Sequence, residues 1–231
     1  WEHRMIGSSE TEARLPDFIS DAGCSFVRCI EAESPVRFRI GVCMEDRYAP
    51  YAQDITVKKD DRVSNRYNEV TSSYRVSIVS GVPFYSNYKS PKGYEYQILT
   101  TGSVSLQPDP NDSKQLIMEA NSGEGVLYVV AGPSATELKQ HVETVLETSL
   151  NSQLKKCEKG WKSYSAEQSK FRVVRLTGER LQEFNRAVDD IGVLIRSQQG
   201  LQGGVLAGIV YHMAYVRDQY GVFRGLLAMG H

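Results

Sequence analysis

The residues with the most chemistry to offer are Arg217 and Asp218, inside Tyr215-Val216-Arg217-Asp218-Gln219-Tyr220-Gly221. A carboxylate accepts hydrogen bonds from two neighbouring hydroxyls, and a guanidinium donates in a fixed planar fork. The ring of Tyr215 adds an aromatic face with a polar edge. The same pair also has a plain structural use. Asp218 sits where a helix N-cap belongs, and Arg217 beside it can serve as a surface charge.

Other stretches offer less. The glycine-rich run from Gly200 to Gly208 lacks the Gly-Lys-Ser/Thr of a P-loop and the Gly-x-Gly-x-x-Gly of a dinucleotide site. It reads either as a tight turn whose backbone approaches another segment or as the lining of a ligand cleft. The tyrosine-rich stretch Phe84–Tyr88 and Tyr94–Tyr96 suits carbohydrate stacking, but cross-strand pairing in a sheet uses the same residues. There is no Gly-x-Ser-x-Gly elbow and no His-Glu-x-x-His, and His3, His141, His212 and His231 are scattered along the chain. Cys24, Cys29, Cys43 and Cys157 lack zinc-type spacing. Cys29 and Cys43 fall in apolar strand-like runs, as buried free thiols do, with a disulfide as the rival. Neither a metal nor a cofactor is expected.

Charge excludes further classes. The 231 residues carry 27 Lys and Arg against 28 Asp and Glu, with the signs interspersed, so a nucleic-acid surface is not expected. No apolar run approaches the roughly 20 residues of a membrane span, so no membrane role is expected either. The chain starts at Trp1 without a visible signal peptide and stops just after an apolar helical pattern at 222–229. It is therefore expected to be a fragment, with a cytoplasmic location favoured.

Several elements must position the candidate residues. Alternating patterns predict strands at 25–30, 36–44, 54–58, 74–79, 94–106, 115–120 and 126–130. Turn chemistry separates them at Lys59-Asp60-Asp61, Ser80-Gly81, 90–93, 108–112 and Asn121-Ser122-Gly123. Many strands with short turns favour an antiparallel β-sandwich over residues 1–133. Ser134-Ala135-Thr136-Glu137 is a capping box for a helix to about residue 150, and 151–170 reads as a second helix or a helix plus turn. A third helix, capped by Thr177, runs over 178–197 with an apolar stripe at Leu181, Phe184, Val188, Ile191 and Ile195. A fourth begins near Asp218. The overall reading is α+β: a sandwich at 1–133, a helical linker at 134–176 and the start of an all-helical domain at 177–231.

The segment 184–230, above all Tyr211-His212-Met213-Ala214-Tyr215-Val216-Arg217-Asp218, resembles the first barrel hairpin of the six-hairpin glycosidases, the glucoamylases and their relatives. Upstream, the order sandwich, linker, barrel resembles the bacterial glucoamylase-like enzymes. In that family an aromatic-x-Arg-Asp motif leads into an early barrel helix, and its Arg and Asp hold the hydroxyls of the sugar on the cleaved side. The resemblance implies an (α/α)6 barrel beginning at 177 and a sugar-binding trio of Tyr215, Arg217 and Asp218. Tyr215 stands where glucoamylases commonly have Trp. The implied partner is an oligosaccharide or polysaccharide, and the implied reaction is inverting hydrolysis by two carboxylates about 6.5–9.5 Å apart. Both carboxylates are expected downstream of His231. A disaccharide phosphorylase of the same architecture and a non-enzymatic carbohydrate-binding sandwich with a helical tail are the alternatives.

Overall fold

The computed structural model describes residues 2–6, 12–41, 52–80, 92–167, 175–199, 203–205 and 216–231. Cys43, the Phe84–Tyr88 stretch, Tyr215 and most of the glycine-rich run lie outside the described residues.

The chain has a mixed α+β fold. Its strands are β1 (Glu2–Ile6), β2 (Glu12–Ser20), β3 (Ser25–Ala32), β4 (Val36–Gly41), β5 (Ala52–Lys59), β6 (Val70–Ser80), β7 (Lys92–Asp109) and β8 (Asp112–Gly132). Its helices are α1 (Asp61–Arg66), α2 (Ala135–Glu147), α3 (Leu150–Glu167), α4 (Gly178–Ser197) and α5 (Val216–Met229). All described strand pairs are antiparallel, as the short turns between alternating runs predict. They join into one eight-stranded sheet in the order β1-β2-β3-β8-β7-β6-β5, with β4 also on β8.

The sequence pattern and the sheet differ in instructive places. Asn121-Ser122-Gly123, expected to reverse the chain, instead lies inside the single long strand β8. Residues 115–120 and 123–130 of β8 pair with β4 and β3 along one edge, while β7 follows both stretches along the other. The turn residues therefore form a corner. Opposite them, β7 passes from Gly102, paired with Gly125, to Val104, paired with Ala120. Gly102 has φ +70°, and a Cβ there would stand 2.6 Å from the Glu124 carbonyl oxygen, so only glycine fits the crossing. The Lys59-Asp60-Asp61 turn opens the short helix α1. Strands β1 and β2 have no counterpart in the sequence reading. Pro16 breaks the β2 pattern, and the β2–β3 pairing is interrupted there, passing from Arg14 opposite Glu31 to Asp17 opposite Arg28, as a residue without an N–H requires.

Each side of the sheet buries a core. One cluster gathers Leu15, Ile30, Tyr74, Val76, Ile98, Val104, Leu106, Leu116, Met118 and Leu127, with Ile55 and Val57 of β5 and Phe38 of β4 against it. Strand β5 also comes close to β8. The other cluster joins Phe18, Val27, Leu99, Val126, Tyr128 and Val130 to Leu138, Val142 and Val145 of α2. Each of these aliphatic side chains contributes roughly 1.5–3 kcal/mol by leaving water. Ser134 caps α2 by accepting from the Glu137 N–H at 3.2 Å. The Glu137 carboxylate accepts from the Ser134 hydroxyl at 2.6 Å, so the expected reciprocal box closes side chain to side chain. Gln153 of α3 donates to the carbonyls of Val145 and Thr148, which finishes α2 at its other end.

The chain divides into two units, Trp1–Cys157 and Glu158–His231, with the boundary inside α3. Helix α2 packs on the sheet and belongs to the first unit. In the second, α4 matches the expected span, although the Thr177 side chain makes no capping bond. Its expected stripe is only partly covered: Leu181, Val188 and Ile195 are half-buried, whereas Phe184 and Ile191 are exposed.

Candidate functional site

Helix α5 carries the candidate pair. It begins at Val216, so Arg217 and Asp218 occupy the first turn, and Asp218 is not the N-cap the sequence suggested. An acidic residue is favourable in either position, because both face the partial positive charge of the helix N-terminus. Arg217 is 92% exposed and Asp218 37%, with Arg217 Nε 3.5 Å from Asp218 Oδ1. Neighbouring side chains on a helix do not face each other, so a contact this long leaves most of the donors and acceptors open to a ligand. Tyr215, the third member of the expected trio, lies outside the described residues.

The next residue is the one the sequence reading missed. The Gln219 carboxamide oxygen accepts from the Val205 N–H at 2.9 Å, and its nitrogen donates to the Val205 carbonyl at 2.6 Å. Val205 also forms an antiparallel bridge with Gln199, whose side chain donates to the Gly203 carbonyl at 3.1 Å. Gly203 turns the backbone with φ +87°. The described part of the glycine-rich run is thus tied down by two glutamines, one just past the end of α4 and one from the first turns of α5. Two hydrogen bonds such as those of Gln219 contribute about 1–3 kcal/mol together. The only signal in the sequence was a glutamine beside the Arg-Asp pair, and that residue type is common on helix surfaces.

The remaining helical surface divides unevenly. Val222 and Leu226 of α5 are half-buried and Met229 is buried, while Val216, Tyr220, Phe223 and Leu227 form an exposed stripe at spacings of four, three and four. The helix is therefore apolar on two sides. Its end is closed at Gly230, where the Gly230 and His231 N–H groups donate to the Leu227 and Leu226 carbonyls. Within the same unit the His231 ring stacks on Tyr164 with centroids 4.1 Å apart, Trp161 meets Tyr164 edge-on, and the Tyr164 hydroxyl donates to the Gly192 carbonyl. In the first unit, His141 Nδ1 donates to the Ala131 carbonyl at 2.7 Å. Each of these two histidines is accounted for by packing.

Cys24 and Cys29 are free thiols, and burial pushes the Cys29 thiol up, with Glu31 adding to the effect. Among the described residues no group of three or more His, Cys, Asp or Glu side chains is placed to hold a metal ion. No described helix is long and apolar enough to cross a membrane. Models of known protein families and the sequences of curated proteins yield no match to this chain.

Proposed function

We propose that this chain is the front part of an inverting glycoside hydrolase of glucoamylase-like type, in which Arg217 and Asp218 hold the hydroxyls of the bound sugar. On this reading residues 1–133 are a β-sandwich domain, 134–176 a helical linker and 177–231 the start of an (α/α)6 barrel. Tyr215 supplies the apolar face, and the acid and base carboxylates come from sequence beyond His231.

The observation that carries the proposal is the placement of Arg217 and Asp218. They sit side by side in the first turn of a helix, exposed, with most of their hydrogen-bonding capacity unspent. A sugar offers adjacent hydroxyls that a fork donor and a two-oxygen acceptor take up together. The second apolar side of α5 adds support, since a helix apolar around much of its circumference is built to be surrounded by other elements. An early helix of a larger helical barrel has that requirement.

The deciding experiment extends the chain through the coding sequence that follows His231 and assays sugar release from α-glucosides and α-fucosides. Release of the inverted anomer is expected, with Asp218→Ala reducing kcat/KM at least tenfold, about the 1.4 kcal/mol of one charged hydrogen bond. An extended protein silent on every glycoside offered would sink the proposal. Strict dependence on inorganic phosphate would turn it into a phosphorylase.

A further inference from the structure

We infer that the chain associates with a second copy of itself, the exposed apolar stripe of α5 in one copy packing parallel to the exposed stripe of α4 in the other. The inference stands apart from the sugar-binding reading. On α5 the stripe is Val216, Tyr220, Phe223 and Leu227, with Val216 87% and Leu227 74% exposed. On α4, Ala187, Ile191 and Leu194 are exposed, while Leu181, Val188 and Ile195 beside them are half-buried. Each helix thus covers one apolar side within its own unit and leaves a second in water. Contiguous apolar surface of this kind, edged by charge, marks a contact with another protein surface.

The charges at the edges decide which face meets which. Parallel helices pack apolar residues at alternating steps of three and four, and the side chains that edge this seam pair across it. Both stripes step by four and then three, at 187, 191 and 194 on α4 and at 216, 220 and 223 on α5. In register they form layers of Ala187 on Val216, Ile191 on Tyr220 and Leu194 on Phe223. The same register sets Glu183 across from Arg217 and Asp190 across from Arg224, with seven residues between successive charges on each helix. All four charged residues are exposed. The Arg224 guanidinium lies 5.7 Å from the centre of its own Tyr220 ring, beside the stripe that it edges. The open edge of the α5 stripe is lined by arginines and that of the α4 stripe by carboxylates, so two like helices give these charges no opposite partner. Only α4 against α5 of another copy satisfies both. Arg217 also belongs to the candidate sugar pair, so the test turns on Asp190 and Arg224.

Sedimentation of the whole 231-residue chain over a range of concentrations reads the association. A closed dimer and a longer run of copies both carry the contact, because each copy offers one stripe of each kind. Arg224→Glu or Asp190→Arg alone sets like charges across the seam and should raise the dissociation constant by about fivefold or more. Combining both changes in one chain, or mixing the two single variants, restores opposite pairs. Either should return the constant to within about twofold of the unsubstituted value. Leu194→Lys removes a layer and should weaken association by about tenfold or more, whereas Gln182→Ala on the outer surface of α4 should change nothing. All of these positions are exposed, so helix content by circular dichroism should stay the same. A chain that remains a single copy up to about 0.5 mM overturns the inference and leaves the stripes to elements of a longer chain. Association that Leu194→Lys and the charge reversals leave unaltered overturns it too. So does weakening by the reversals that neither the double variant nor the mixture repairs.

Discussion

The sheet gives Cys24 and Cys29 different surroundings. Cys24 is exposed in the turn between β2 and β3, while Cys29 is half-buried beside the α2 core, with its thiol held above the usual range by burial and by Glu31. The thiolate is the reactive form, so at pH 8 a disulfide reagent such as DTNB should label Cys24 first, with Cys29 lagging by at least about tenfold. Equal rates would show that the Cys29 environment is open. At this scale the sequence was informative about type and less so about position. Arg217 and Asp218 stood out through the family resemblance, yet Asp is favourable both at a helix N-cap and one turn inside, so residue type could not fix where α5 begins. Gln219 was invisible because its role depends on where Val205 arrives.

Elements meet at glycines, and two of them separate crowding from propensity. Gly23 has φ +64°, and a Cβ there would lie 2.2 Å from the His141 carbonyl oxygen of α2. Gly23→Ala should therefore destabilise the first unit by about 1–3 kcal/mol, as overpacking does, with added strain from the positive φ. Gly160 of α3 has nothing within 4 Å of a built Cβ, so Gly160→Ala should stabilise by roughly 0.5–1 kcal/mol through helix propensity alone. Urea unfolding of the two variants checks both signs, and a neutral Gly23→Ala would mean that α2 does not rest on that turn. Legibility also varied by element. The strong 3.6-residue period of α4 and the capping signal of α2 could be read directly. Strand β8 could not, because Asn-Ser-Gly serves a corner as well as a hairpin, and only the neighbouring strands choose between them.

At the scale of the molecule, buried tyrosines couple stability to pH. Burial pushes the Tyr128 hydroxyl up to about 12, and Tyr67 and Tyr74 are raised in the same direction by burial. An unfolded tyrosine ionises near pH 10, so between about pH 10 and 12 the unfolded chain has lost protons that the folded chain keeps. Stability should be fully present below pH 10 and fall as pH rises toward 12. The Tyr128 share is on the order of 2 kcal/mol. Tyr128→Phe should flatten that fall in urea unfolding measured across the range, whereas an unchanged slope would place the titrating group elsewhere.

Taken alone, the residue pattern determined the order of β-rich and helical regions, the antiparallel pairing and the α4 span. Those features follow from local rules of periodicity, capping and turn chemistry, which act within a few residues. The tertiary structure alone decided that eight strands share one sheet, that α2 packs on the sheet, and that Gln199 and Gln219 grip the glycine-rich run. Each of those outcomes joins residues distant in sequence. Their energies come from backbone groups and apolar faces that find partners only once the chain has folded.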